Sequence, residues 1–254
     1  MKIQSNKGYV ILAAAGVLIS TFAVLLADQT DEKIVESAQS SFVFRTFLKK
    51  DSVKAESKDG SVTLTGAVEH EFQKTLAADT VSNIPEVKSV DNRLTVKGDH
   101  SSANADQNLV EKVKTMLLLH RNLSIGKTAV DADKGKITLR GKTSSRAQKE
   151  LITEYVKDID GVTSVANDML FAKEDAEPKR TIAEKIDDAS ITAQIKASLL
   201  LHRSTSALKT HIQTRDGVVI VSGIAANAAE KNLVKKLIMD IDGVTKVENN
   251  ISYP

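Results

Sequence analysis

Beyond residue 33 the apolar positions switch between two periods, and they do so three times. The last stretch shows it most cleanly. Ile191, Ile195, Ser198, Leu199 and His202 recur at i, i+4, i+7 and i+8, one face of a helix, with Asp188 or Ser190 as candidate cap. Ile212 and Thr214 then alternate, Arg215-Asp216-Gly217 supplies a turn, and Val219 and Val221 alternate on a partner strand closed by Gly223. Ala229, Leu233, Val234, Leu237, Ile238 and Ile241 return to helical spacing. Gly243 stops that helix as a glycine beyond a C-terminus does, and Val244, Val247 and Ile251 supply a last strand. The pattern predicts an α+β unit, α-β-β-α-β, with two helices packed on a small three-stranded sheet.

This unit is written three times. Shifted by 82 positions, Asp106–Met169 lies on Asp188–Ile251 without a gap and with 23 identities in 64 positions, Leu117-Leu118-Leu119-His120-Arg121 falling on Leu199-Leu200-Leu201-His202-Arg203. A shift of 75 adds a diverged first copy, in which Gly60, Gly66, Lys74, Leu76, Val87, Val90 and Asn92 match Gly135, Gly141, Lys149, Leu151, Val162, Val165 and Asn167. The expected boundaries are 33–98, 104–172 and 184–254, joined by solvated connectors at 97–105 and 173–184. A unit this small buries only roughly 60% of its unfolded surface. Neighbouring copies are therefore expected to pack together or to lean on a partner.

A different pattern precedes the first copy. Lys2 and Lys7 lead into an uninterrupted apolar run from Tyr9 to Ala27, and Asp28, Asp31 and Glu32 follow. Charge of this sense keeps the N-terminus in the cytoplasm and sends the rest across the inner membrane. Leu25 and Ala27 stand where a signal peptidase reads its −3 and −1 positions, yet the run is also long enough to span a bilayer. Residues 1–27 thus read as a cleaved signal peptide or a retained anchor, a buried core helix being the third reading. The first two place the folded part in the periplasm. Cysteine is absent, which excludes disulfides, thiol catalysis, cysteine-ligated zinc and an acylated N-terminal cysteine. Net charge is only +2, spread evenly over the copies, so nucleic acid is not an expected partner.

The second-strand glycines Gly66, Gly141 and Gly223, with the closing string Asp-Gly-Val-x-x-Val-x-Asn at 160–167 and 242–249, resemble the BON domain of osmotically inducible bacterial envelope proteins. The first copy carries Pro85-Glu86 where the others have Asp-Gly. The resemblance covers nearly everything after residue 33. It implies a non-enzymatic periplasmic protein that binds phospholipid surfaces and protects the envelope under osmotic stress, with envelope proteins as further partners. It implies no cofactor, no metal and no catalytic residue.

The residues themselves agree with that absence of chemistry. No phosphate loop, nucleophile elbow, zinc-helix motif or dinucleotide glycine pattern occurs. Asp131-Ala132-Asp133 and Asp158-Ile159-Asp160 echo a calcium loop but lack its remaining ligands, and they read as a hairpin turn and a helix exit. His120 and His202 recur at the end of the first helix of two copies. They read as structural residues favoured by the helix dipole, with a proton switch and a metal ligand as alternatives. One surface feature recurs as well. Leu118 lies half a turn from the buried stripe, between Lys114 and Arg121, and Lys196, Leu200 and Arg203 repeat the trio. An outward leucine between cations suits a lipid boundary, the leucine entering it and the cations meeting phosphates; packing between copies or no role at all are the other readings. In the first copy some of Phe42, Phe44 and Phe47 are expected at the surface instead. From a different class, a chaperone or protein-interaction adaptor would use the unpaired edges of the small sheets.

Overall fold

The computed structural model describes residues 29–97, 105–121, 123, 128–171, 186–205 and 208–254. The apolar run read as signal or anchor and most of both connectors lie outside these residues. Among the described residues no helix is long and apolar enough to cross a membrane.

In the first copy, residues 29–40 form α1 and Phe42–Thr46 form α2. The strands Lys54–Lys58 (β1), Ser61–Thr65 (β2) and Ala67–Val68 (β3) precede helix Glu71–Ser82 (α3), and Ser89–Asn92 (β4) and Thr95–Val96 (β5) close the copy. The second copy runs Ala105–Leu119 (α4), Ala129–Asp133 (β6), Lys136–Arg140 (β7), Lys142–Thr143 (β8), Arg146–Lys157 (α5), Ser164–Asn167 (β9) and Leu170–Phe171 (β10). The third runs Asp188–Leu201 (α6), Thr210–Arg215 (β11), Val218–Ile224 (β12), Ala228–Met239 (α7) and Lys246–Ser252 (β13). Each main sheet pairs the hairpin antiparallel and adds the last strand parallel to the hairpin's second strand, in the orders β1-β2-β4, β6-β7-β9 and β11-β12-β13. Gly223 does not end its strand as the sequence suggested. It sits inside β12 at φ +152°, where a Cβ would stand 2.6 Å from the carbonyl oxygen of Lys209.

The repeated residues now have a physical reason. The aspartate at the head of each first helix holds the tip of its own hairpin. Asp31 accepts the amides of Asp59 and Gly60, Asp106 those of Lys134 and Gly135, and Asp188 those of Asp216 and Gly217. The cap of α6 is therefore its neighbour Asp187, not Asp188 or Ser190. Gly217 has φ +74°, and a Cβ there would stand 2.6 Å from the carbonyl oxygen of Gly243, so only glycine fits where the hairpin meets the entry to the last strand. The asparagine that ends the motif also works alike in all copies. Asn92, Asn167 and Asn249 donate to the carbonyls of Lys74, Lys149 and Lys231 and accept the amide two residues on. Each thereby ties the last strand to the second helix. In the first copy Glu86 takes the positive φ (69°) that glycine takes in the other two.

The copies are not beads on a string. The first and third share one apolar core, while the second builds its own. The third copy lies in the middle, because α6 packs against α3 on one side and α4 on another. Nearly the whole of α6 is buried, including Ser190, Thr192, Gln194 and Ser198. Ala189, Ala193 and Ala197 recur every four residues along α6 as a buried small-residue stripe, of the kind that lets helices approach closely, and Lys196 beside them pairs with Asp79 of α3 at 3.8 Å. At the head of α6 the first copy breaks its own helix at Ser41 to dock. The amide of Phe42 donates to Asp187 and that of Val43 to Ser190. One aspartate thus caps α6 and also accepts the first amide of α2, whose own cap is Ser41. The break turns the aromatics inward. Phe42 and Phe44 are buried and Phe47 packs on the core, so the expectation of exposed aromatics there is corrected.

Candidate functional site

Four helix C-termini meet where the second and third copies touch, and the contacts are exchanged crosswise. The amide of Arg121, after α4, donates to the carbonyl of Asp240, after α7 (2.9 Å). The amide of Arg203, after α6, donates to the carbonyl of Asp158, after α5 (2.7 Å). The Arg121 guanidinium adds bonds to the carbonyls of Met239 and Val244, and that of Arg203 to Lys157. Cations on carbonyls at helix ends are well placed for the dipole. His120 and His202, buried to 0% and 1% exposure, face each other with centroids 5.6 Å apart, and Tyr155 closes an edge-to-face trio with both. Each imidazole also faces the aspartate of the opposite copy, His120 at 3.2 Å from Asp240 and His202 at 3.3 Å from Asp158. The result is a two-fold clasp made inside one chain, the arrangement an isologous dimer uses between two.

The polar groups of this seam are only partly satisfied. Nε2 of His120 shares a proton with Ser198 Oγ at 2.9 Å, but its Nδ1 and both nitrogens of His202 lack a well-aligned hydrogen bond. Burial holds His120 below its ordinary value, against the opposing pull of Asp240. Burial pushes Asp158 up, but His202 and Ser204 together outweigh it and keep its carboxyl low. Burial, with Asp240 beside it, pushes the Tyr155 phenol well above its ordinary value, so it stays protonated and donates to that carboxylate.

The six residues singled out in the sequence are split by this arrangement. Leu118 and Leu200 stand 45% and 62% exposed, not packed between copies. Lys114 pairs with Glu111 at 3.1 Å and Lys196 with Asp79. Arg121 and Arg203, although exposed at their edges, are the bolts of the seam. Next to it, between α5 and α7, lies an open groove of about 530 Å³ with Leu151, Tyr155 and Met239 on its floor and Asn232, Lys235, Lys236 and Asp240 around them. Among the described residues no cluster of three or more His, Asp or Glu is placed to hold a metal ion.

Sequence reasoning noticed the paired histidines but not what they face. A signal was available. The first copy has Arg45 and Asn83 where the others have His120 and Asp158, or His202 and Asp240, so histidine and aspartate come and go together.

The BON domain matches residues 30–98, 105–173 and 187–254. The chain belongs to the BON-domain family, with three copies of the domain. It is similar to osmotically-inducible protein Y of Escherichia coli (strain K12), 31% identical over 146 residues, 58% of this chain and 71% of that one. An uncharacterized protein from the gshII 5' region of Anaplasma centrale is 28% identical over 148 residues, 58% of this chain and 92% of the other. Among solved structures, the C-terminal domain of CdsD, a structural protein of the type III secretion system of Chlamydia trachomatis, aligns with 84% of this chain and 95% of its own, at 16% identity and TM-score 0.23. The PrgH periplasmic domain covers 81% of this chain and 95% of its own, at 12% identity and TM-score 0.20.

Proposed function

We propose that this is a non-enzymatic protein of the periplasm that rests on anionic phospholipid surfaces and protects the envelope under osmotic stress. The observation that carries the reading is the pair Leu118 and Leu200. Two large apolar side chains are held in water at equivalent places on two helices, each within a turn of basic residues. A core-directed helix has no packing reason to keep them there, and an interfacial one does. The ion pairs of Lys114 and Lys196 are partly exposed, worth little each, and exchange for lipid phosphate at small cost. Lys235 and Lys236, exposed on the adjoining groove and without an ion pair among the described residues, extend the cationic surface. The kinship with an osmotically inducible protein supports the stress role. The apolar run at 9–27 supports export.

The test is co-sedimentation with phosphatidylglycerol-containing and purely zwitterionic vesicles at low and high salt. Binding should need the anionic lipid and fall with salt, and Leu118→Ser with Leu200→Ser should weaken it about tenfold. Binding indifferent to lipid charge and salt, or unchanged in the double variant, refutes the reading. A second reading, a chaperone for envelope proteins, is favoured by one observation. Each three-stranded sheet has two strands paired on one side only. It requires suppression of client aggregation without lipid.

A further inference from the structure

We propose that the seam between the second and third copies is a proton-operated joint. Proton uptake by the buried His120 loosens the crosswise clasp and lets the two copies part. The inference is independent of which surface the protein binds.

The geometry carries it. Two imidazoles lie within 5.6 Å of each other, shut away from water, and three of their four nitrogens have no well-aligned partner. A neutral ring tolerates that place, whereas an imidazolium loses its hydration there and gains in return only the facing carboxylate, at 3.2 Å for His120. The groups facing the pair come from every element at the seam. They are Asp240 and Asp242 after α7, Asp158 and Tyr155 of α5 and its cap, Ser198 of α6, and the flanking Arg121 and Arg203. Asp240 offers only a partial remedy: the same Oδ2 that faces His120 also accepts from the phenol of Tyr155, and burial outweighs its pull on the ring. A new positive charge would also join Arg121 and Arg203 in the same seam. The burial that depresses the proton affinity of His120 acts in the same sense: the closed seam prefers the neutral ring, the open and hydrated seam the charged one.

Because the chain has no cysteine, distance probes go only where they are placed. Ala147→Cys on α5 and Ala229→Cys on α7 occupy equivalent exposed positions in the two copies. Spin-label distances between them should show one short population at pH 7.5. A longer population should appear as the pH falls to 5, its ratio to the closed form rising by up to about tenfold per pH unit for each proton taken up. In a background of His120→Gln and His202→Gln the distances should not respond to pH. A short distance that persists at pH 5, or the same pH profile in the double variant, overturns the proposal. The unaltered chain gives a second measurement that does not depend on the variant folding. The amides of Arg121 and Arg203, corrected for intrinsic exchange, should lose protection from hydrogen exchange at acid pH while those of β12 keep theirs. If all fall together or none falls, the joint does not exist.

Discussion

Leu118 and Leu119 are consecutive on α4 and should behave as opposites. Leu119 is fully buried, and although it belongs to the second copy it lies in the apolar core of the first and third. Truncating it to alanine removes about three methylene equivalents of buried surface and leaves a hole between copies that three rigid elements cannot easily close. Buried Leu→Ala changes of this kind cost about 3–5 kcal/mol. Leu118, 45% exposed one position earlier, loses little buried area and no cavity forms, so the same truncation should cost below about 1 kcal/mol. Helix propensity is equal in the two variants, so the difference reports burial alone. Urea unfolding followed by far-ultraviolet circular dichroism measures it. The midpoint of Leu119→Ala should fall sharply while that of Leu118→Ala stays near the parent, and vesicle binding should be impaired in the opposite order. Equal losses of stability would refute the assignment of Leu119 to a core shared among copies.

Other changes test the joints one at a time. Asp187→Ala removes the cap of α6 and the acceptor for the first amide of α2, and should cost about 2–3 kcal/mol in the same assay, against about 1 kcal/mol for an ordinary cap. Asp188→Ala frees the tip of the third hairpin and should cost about 1–2 kcal/mol, with the increase in amide exchange confined to β11 and β12. Gly217→Ala should lower the midpoint by more than either, because the new methyl meets a backbone oxygen and the residue must hold a positive φ. Folding stability should also depend on acid in a defined window. His120 binds its proton more weakly in the fold than in the unfolded chain, so its contribution is complete above about pH 6.5 and is lost as the pH falls below that value. The depressed carboxyl of Asp158 adds a second loss only at lower pH, below the ordinary aspartate range. His120→Gln should flatten the unfolding midpoint between pH 7.5 and 5; an unchanged slope would show that this ring is not responsible.

The mixed helix-and-sheet class and the threefold repetition were legible because they rest on local signals. Turn glycines, the alternation of Val219 and Val221 and the helical stripe of Leu233, Val234, Leu237 and Ile238 each specify a short stretch of chain. What the copies do to one another was not. The stripe Ala189, Ala193 and Ala197 replaces Gln107, Glu111 and Thr115 of the second copy, and that single difference marks α6 as the buried helix. Read alone it is a run of good helix formers. The clasp was hidden for another reason. Its partners lie as far apart as His120 and Asp240, and an internal two-fold joins each residue to the other copy's counterpart, which repetition by itself does not reveal. Arg121 and Arg203 looked like free surface cations because their acceptors are main-chain carbonyls, which no sequence pattern displays.

Native-state hydrogen exchange on the unaltered chain weighs α6 against α4, two helices of kindred sequence and equivalent position. The account predicts that α6, enclosed by all three copies, exchanges only with global unfolding and is among the slowest elements, while α4 exchanges faster by opening at its outer face. Equal protection of the two helices would mean that each copy stands by itself, and would contradict the account.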